Sequence, residues 1–161
     1  MSRYFSSKYQ HLTPYTPGEQ PRDMQYVKLN TNESPFPPSK LALEKAREAM
    51  ERLQLYSDPE CTALVRCISN LYHVDPQEVL CSNGSDEILN FIFMAYCDEN
   101  HPAVFPDITY SFYKVWARLY HTTARLMPLH EDFSMDPHDY MGLHATIFIA
   151  NPNAPTGVAM S

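Results

Sequence analysis

From residue 79 to residue 150 the sequence alternates short apolar runs of strand length with longer segments of helix length, and this alternation constrains the fold more than any other feature. Val79-Leu80-Cys81-Ser82 runs into the turn signal Asn83-Gly84-Ser85, after which Asp86 and Glu87 open an apolar segment, Ile88 to Cys97, long enough for a helix. Ala103-Val104-Phe105 reads as a second strand, Thr109 to Tyr120 as a further helix, Ala124 to Leu129 as a third strand and Thr146 to Ala150 as a fourth. Strands that are apolar throughout are buried on both faces, and strands separated by helices pair in parallel through crossovers. The expected fold class is therefore α/β, with a mostly parallel sheet covered by helices.

The first 38 residues follow another rule. Pro14, Pro17, Pro21, Pro35, Pro37 and Pro38 forbid a continuous helix there, so residues 1–38 are expected to form an extended arm. Tyr4, Phe5, Tyr9, Tyr15, Tyr26 and Phe36 would be wasted on a free tail, and the arm is expected to lie against the body or a partner subunit. From Ser39, which can cap, Ala42, Ala46, Ala49, Met50 and Leu53 recur at helical spacing to about Gln54. A second helix is expected from Asp58-Pro59, burying Leu64, Val65, Ile68 and Leu71. Residues 39–161 then make up the α/β domain, which stops just where a helix should follow the fourth strand and reads as truncated.

With 161 residues, 44% of them hydrophobic, the chain has the apolar content for one core. Its 12 Lys+Arg against 19 Asp+Glu give a net charge of −7 without a basic face, so no nucleic-acid partner is expected. No run approaches the roughly 18 apolar residues of a membrane helix. The N-terminus also lacks the apolar stretch of a signal peptide, so a cytoplasmic protein with no membrane partner is expected. Cys61, Cys67, Cys81 and Cys97 form no Cys-x-x-Cys pair and are expected to be buried free thiols. The scattered histidines suggest neither a zinc site nor a Ser-His-Asp arrangement.

Chemistry is left to three loops. Ser82-Asn83-Gly84-Ser85-Asp86-Glu87 lies between a strand and a helix, where unpaired N–H groups and about half a positive charge make a phosphate cradle; mere capping of the helix by Ser85 or Asp86 is the alternative. No G-x-G-x-x-G or G-K-[ST] motif supports a nucleotide site. Asn151-Pro152-Asn153-Ala154-Pro155-Thr156-Gly157 follows the last strand, where ligands of open α/β sheets bind, and is either a polar loop that orients one or a plain turn. Tyr110 follows another strand at the same edge; its ring either stacks on a planar group or packs into the core.

Taken in order, Lys28-Leu29-Asn30-Thr31-Asn32-Glu33-Ser34-Pro35, Tyr56-Ser57-Asp58-Pro59, Asn83 to Glu87, Thr109-Tyr110-Ser111 and the Asn151 to Gly157 loop resemble the N-terminal part of fold-type I pyridoxal-phosphate aminotransferases, most closely the histidinol-phosphate aminotransferases. The resemblance runs from about Tyr4 to Ser161. It implies pyridoxal 5'-phosphate as cofactor, a homodimer, and ping-pong amino transfer between glutamate/2-oxoglutarate and a phosphorylated amino alcohol such as histidinol phosphate. It also implies that Gly84, Ser85 and Asp86 hold the cofactor phosphate through backbone N–H groups, that Tyr110 stacks on the pyridine ring, and that Tyr56 reaches the phosphate from the neighbouring subunit. By the same resemblance the arm around Tyr15, Asn32 and Glu33 closes over the substrate. Where the family has asparagine directly before Pro-Thr-Gly, donating to the cofactor's phenolic oxygen, this chain has Ala154, and Asn153 is expected to take the role.

The resemblance further implies a Schiff-base lysine that moves a proton and a carboxylate on the pyridine nitrogen, both after the Pro-Thr-Gly loop and so downstream of Ser161. Lys8, Lys28, Lys40, Lys45 and Lys114 lie in the arm or on helices, none in a Ser-Lys loop after a strand. No catalytic residue is therefore expected within these residues, and the chain alone is expected to be inactive. Two alternatives stay open: a threonine-phosphate decarboxylase-like enzyme with the same fold and cofactor, and a short non-catalytic chain that uses the arm to bind a partner subunit.

Overall fold

The computed structural model describes residues 3–9, 18–19, 22–23 and 26–160. In chain order the regular elements are helices α1 (Lys40–Met50), α2 (Thr62–Tyr72) and α3 (Ser85–Tyr96), strand β1 (Ala103–Pro106), helix α4 (Phe112–Leu119), and strands β2 (Ala124–Met127) and β3 (Thr146–Ile147). The chain divides into two compact units, one comprising Met1–Thr13 and Ser82–Ser161, the other Pro14–Cys81.

The larger unit is built on a parallel sheet in the order β2-β1-β3, with Ala103 aligned with Ala124 on one side and Thr146 on the other. All four residues of the central strand are buried, as a run with no polar alternation requires. Ala103 and Phe105 share one face of β1 and join Phe93, Cys97, Tyr113, Ala117 and Phe148 in the core. Phe93 of α3 stacks on Phe148, just beyond β3, with ring centroids 4.3 Å apart and planes 7° off parallel. Tyr113 of α4 leans on Phe105 and Phe148 at 5.5 and 5.4 Å. The two helices are also pinned to each other where the Tyr120 hydroxyl donates to Asn90 Oδ1 at 2.6 Å.

Several expectations shift. The helix expected from Thr109 starts at Phe112, because residues 107–111 are spent in the turn that leaves β1. The fourth expected strand is laddered only at Thr146–Ile147, although Phe148 N still donates to Val104 O at 2.8 Å. Val79 has extended backbone (φ −115°, ψ 122°), yet the Val79–Ser82 run is no strand: among the described residues no neighbouring edge pairs with it, and an extended segment needs one to form a ladder.

In the smaller unit Ser39 caps α1 as expected, its hydroxyl accepting from Ala42 N at 3.2 Å, and the helix ends at Met50, short of Gln54. Asp58 caps a tight turn one step ahead of α2: its carboxylate accepts from Glu60 N at 3.1 Å and Thr62 N at 2.7 Å, and these bonds, first those from Thr62, hold it below the ordinary aspartate range. The apolar side of α2 is only partly covered. Val65 and Ile68 are half-buried, whereas Leu64 and Leu71, expected inside, are exposed because among the described residues nothing covers them. The same absence of cover corrects the cysteines: Cys61 and Cys67 are exposed, Cys81 is half-buried, and only Cys97 is buried, where desolvation pushes its thiol up. In the arm, Tyr4, Phe5, Tyr9, Tyr26 and Phe36 are all exposed.

Candidate functional site

Three segments far apart in sequence meet at the carboxyl edge of the sheet. The first is the turn after β1. Asp107 fastens it: the backbone N–H donates to Met127 O at 2.9 Å, and the carboxylate accepts from Ile108 N at 2.9 Å and from Leu129 N at 3.1 Å. With both neighbouring strand ends tied to one side chain, the next residues, Thr109 and Tyr110, are delivered just beyond the sheet. Tyr110 is half-buried, its ring 5.8 Å from Phe112 and 5.7 Å from Tyr113, so it is part of the core margin and of the site edge at once.

The second segment is the start of α3. Gly84 is its N-cap, with φ 84°, a left-handed value that suits glycine, and no side chain caps the helix. A Cβ at Gly84 would meet nothing within 4 Å, so the approach to this backbone is open. The first-turn amides have no partner inside the helix and carry its positive end. The loop before them closes locally, with Asn83 N donating to Glu87 Oε2 at 2.7 Å and the Ser82 hydroxyl to Gly84 O at 2.9 Å. Tyr110 joins the two segments across 24 residues: its hydroxyl donates to Asp86 Oδ1 at 2.7 Å.

The third segment is the loop after β3. Asn153 is buried and reaches back to the first: Nδ2 donates to Ile108 O at 2.9 Å, and Oδ1 accepts from Thr109 Oγ1 at 2.8 Å. Nδ2 also donates to Thr156 Oγ1 at 3.2 Å. The loop is closed from outside by Asn151, whose side chain accepts from Met160 N at 2.9 Å and donates to Met160 O at 3.0 Å. Gly84, Ser85, Asp86, Tyr110 and Asn153 are thus brought into one bonded constellation.

The remaining candidates lie in the other unit. Lys28 forms an ion pair with Glu33 and donates to Thr31 Oγ1 at 3.0 Å, and the lysine hydrogen bond is the leading cause that holds the Glu33 carboxyl below the ordinary glutamate range. Between them Thr31 and Asn32 both take left-handed backbone, φ 62° and 54°, which is costly for a β-branched residue and marks a backbone shape imposed by its surroundings. Tyr56 follows α1 with its side chain fully exposed. Tyr15 lies outside the described residues. Reading the sequence missed Asp107, and it placed Thr109 only within the Thr109-Tyr110-Ser111 motif, without its tie to Asn153. An aspartate directly after a strand is a turn signal that could have flagged the first; nothing in the sequence announces a threonine whose partner lies 44 residues away.

Residues 24–161 match the family model for aminotransferase class I and II. The chain is 50% identical over 99% of its length to a histidinol-phosphate aminotransferase of Marinomonas sp., and 46% identical over 97% to one of Clostridium acetobutylicum. It spans about half of these relatives, 46% and 45% of their lengths. The fold agrees with the crystal structure of histidinol-phosphate aminotransferase from Sinorhizobium meliloti in complex with pyridoxal-5'-phosphate, at TM-score 0.69 and 22% identity, covering 78% of this chain and 35% of that one. By its motifs, its sheet and this match over most of its length, the chain belongs to the class I and II aminotransferases.

Proposed function

We propose that this protein is a pyridoxal-phosphate-dependent aminotransferase of histidine biosynthesis, interconverting histidinol phosphate and 2-oxoglutarate with imidazole-acetol phosphate and glutamate as a cytoplasmic homodimer. One observation carries the reading: an uncapped helix start opened by Gly84 stands hydrogen-bonded, through Asp86, to a tyrosine at the carboxyl edge of a parallel sheet. The names of its relatives supply the substrate.

The residues fit the cofactor's phosphate end. Gly84 leaves open space beside a backbone that a side chain would obstruct, and the amides of Ser85 and Asp86 can be offered to an anion at the positive end of α3, while that of Gly84, which donates to Ser82 O at 3.0 Å, would join them by exchanging that bond for the phosphate. When bound, pyridoxal phosphate supplies the electron sink that no side chain provides. The chain's own residues do the holding. Tyr110 offers a flat aromatic surface whose tilt is restricted by the hydroxyl bond to Asp86. Tyr56, exposed on its own unit, is the phosphate ligand given to a neighbouring subunit. Tyr15, Asn32 and Glu33 close over the substrate, with Glu33 held in an ion pair by Lys28.

The test is amino transfer by the full-length protein with histidinol phosphate and 2-oxoglutarate, run beside threonine phosphate; decarboxylation of the latter without amino transfer would overturn the reading. Tyr56→Phe is expected to weaken pyridoxal-phosphate retention by roughly tenfold to a hundredfold, the worth of one hydrogen bond to a charged group, with the fold intact. Equal affinity in variant and parent would remove Tyr56 from the site.

A further inference from the structure

We infer that Asn153 is a positioning residue: its amide holds the turn that presents Tyr110 instead of touching the cofactor's phenolic oxygen. The inference rests on the cofactor reading proposed above. Asn153 is 1% exposed, and its side chain is fully matched, with Nδ2 donating to Ile108 O at 2.9 Å and Thr156 Oγ1 at 3.2 Å and Oδ1 accepting from Thr109 Oγ1 at 2.8 Å. A carboxamide has two N–H donors, and both are spent. Turning one toward a ligand would break the bond to the Ile108 carbonyl or to the Thr156 hydroxyl and loosen the join between the two segments.

The backbone of Asn153 is equally fixed. Its N–H donates to Val158 O at 2.8 Å and its carbonyl accepts from Gly157 N at 2.7 Å, so the loop folds around this residue and sends its side chain to the other segment. The two atoms it grips belong to Ile108 and Thr109, the residues directly before Tyr110. Losing the grip frees the backbone that sets where the aromatic ring stands. Asn153 therefore acts at one remove, through the turn, on whatever packs against Tyr110, and Ala154 is left as a loop residue with no donor to replace.

The test uses the full-length protein with pyridoxal phosphate as the probe. It is read by equilibrium binding and by the visible circular-dichroism band of the bound cofactor, which reports ring orientation and not turnover. Thr109→Val, which keeps the shape but cannot donate to Asn153, is expected to weaken binding by about tenfold and to diminish the band. Thr109→Ser, which restores the hydroxyl, is expected to restore both. Asn153→Ala is expected to resemble Thr109→Val, and the double variant to be no worse than the worse single, since the two residues act as one unit. If Asn153→Ala fails to fold, the Thr109 pair decides alone. A Thr109→Val protein that loses thermal stability but keeps the parental band and affinity, or losses that add in the double variant, would overturn the inference. A parent that binds no pyridoxal phosphate would overturn the functional reading, and this inference with it.

Discussion

The 161-residue chain assayed by itself, with pyridoxal phosphate, histidinol phosphate and 2-oxoglutarate, is expected to show no turnover. Amino transfer needs a lysine that bonds the cofactor and then carries the proton, and general acid–base help of that kind is alone worth roughly 10²–10⁴-fold. Two of the five lysines are held in ion pairs. Lys28 is paired with Glu33 and Lys45 with Glu48, while Lys40 opens α1 and Lys8 lies in a short 3-10 turn. Lys114 is the nearest competitor, since its ammonium donates to Asp107 O at 3.1 Å beside the site turn. It points back to the chain's own carbonyl from the exposed side of α4, and Lys114→Ala is expected to change nothing. Turnover that survives purification and disappears in Lys114→Ala would reverse this assignment.

The large-domain motifs were legible in the sequence because their physics is local. The fully apolar run Ala103-Val104-Phe105 predicts a strand buried on both faces, and β1, one residue longer, is that strand. Asn83-Gly84-Ser85 announces a helix start because glycine takes the left-handed φ of 84° found there. What joins the motifs was not legible. The bonds from Tyr110 to Asp86 and from Asn153 to Ile108 span 24 and 45 residues, and no spacing rule connects side chains over such distances. Asn153 shows the difference most clearly. Beside Ala154 in the sequence it reads as a spare amide, whereas in three dimensions one donor is consumed by Ile108 of the adjacent turn and the other by Thr156 of its own loop.

The reading of α2 erred in the other direction, for a related reason. Leu64 and Leu71 have the periodicity of a buried face, but periodicity says only which side of a helix seeks cover, not whether the chain at hand supplies it. Val79 likewise adopts extended backbone with no partner strand among the described residues. In a chain that spans about half the length of its relatives, apolar pattern and burial need not coincide.

Phe93→Ala is expected to cost about 3–5 kcal/mol in the full-length protein, at the upper end for a core truncation. The side chain is wholly buried and lies flat against Phe148 at 4.3 Å, so alanine removes a stacked pair as well as a large apolar volume. The gap would open where α3, β1 and the end of β3 meet, among Phe105, Tyr113 and Phe148, aromatic groups too rigid to collapse into it. Since a domain is stable by only about 5–15 kcal/mol, a large share of the margin would go. The loss would also reach the site, because the same helix that carries Phe93 carries the Gly84–Asp86 cradle at its start and the same strand end that carries Phe148 leads into the Asn153 loop. Urea denaturation measures the first effect and pyridoxal-phosphate affinity the second. Phe93→Leu, which refills most of the volume, is expected to lose far less of both; a Phe93→Ala midpoint within error of the parent would mean that α3 is anchored by other contacts than this stack.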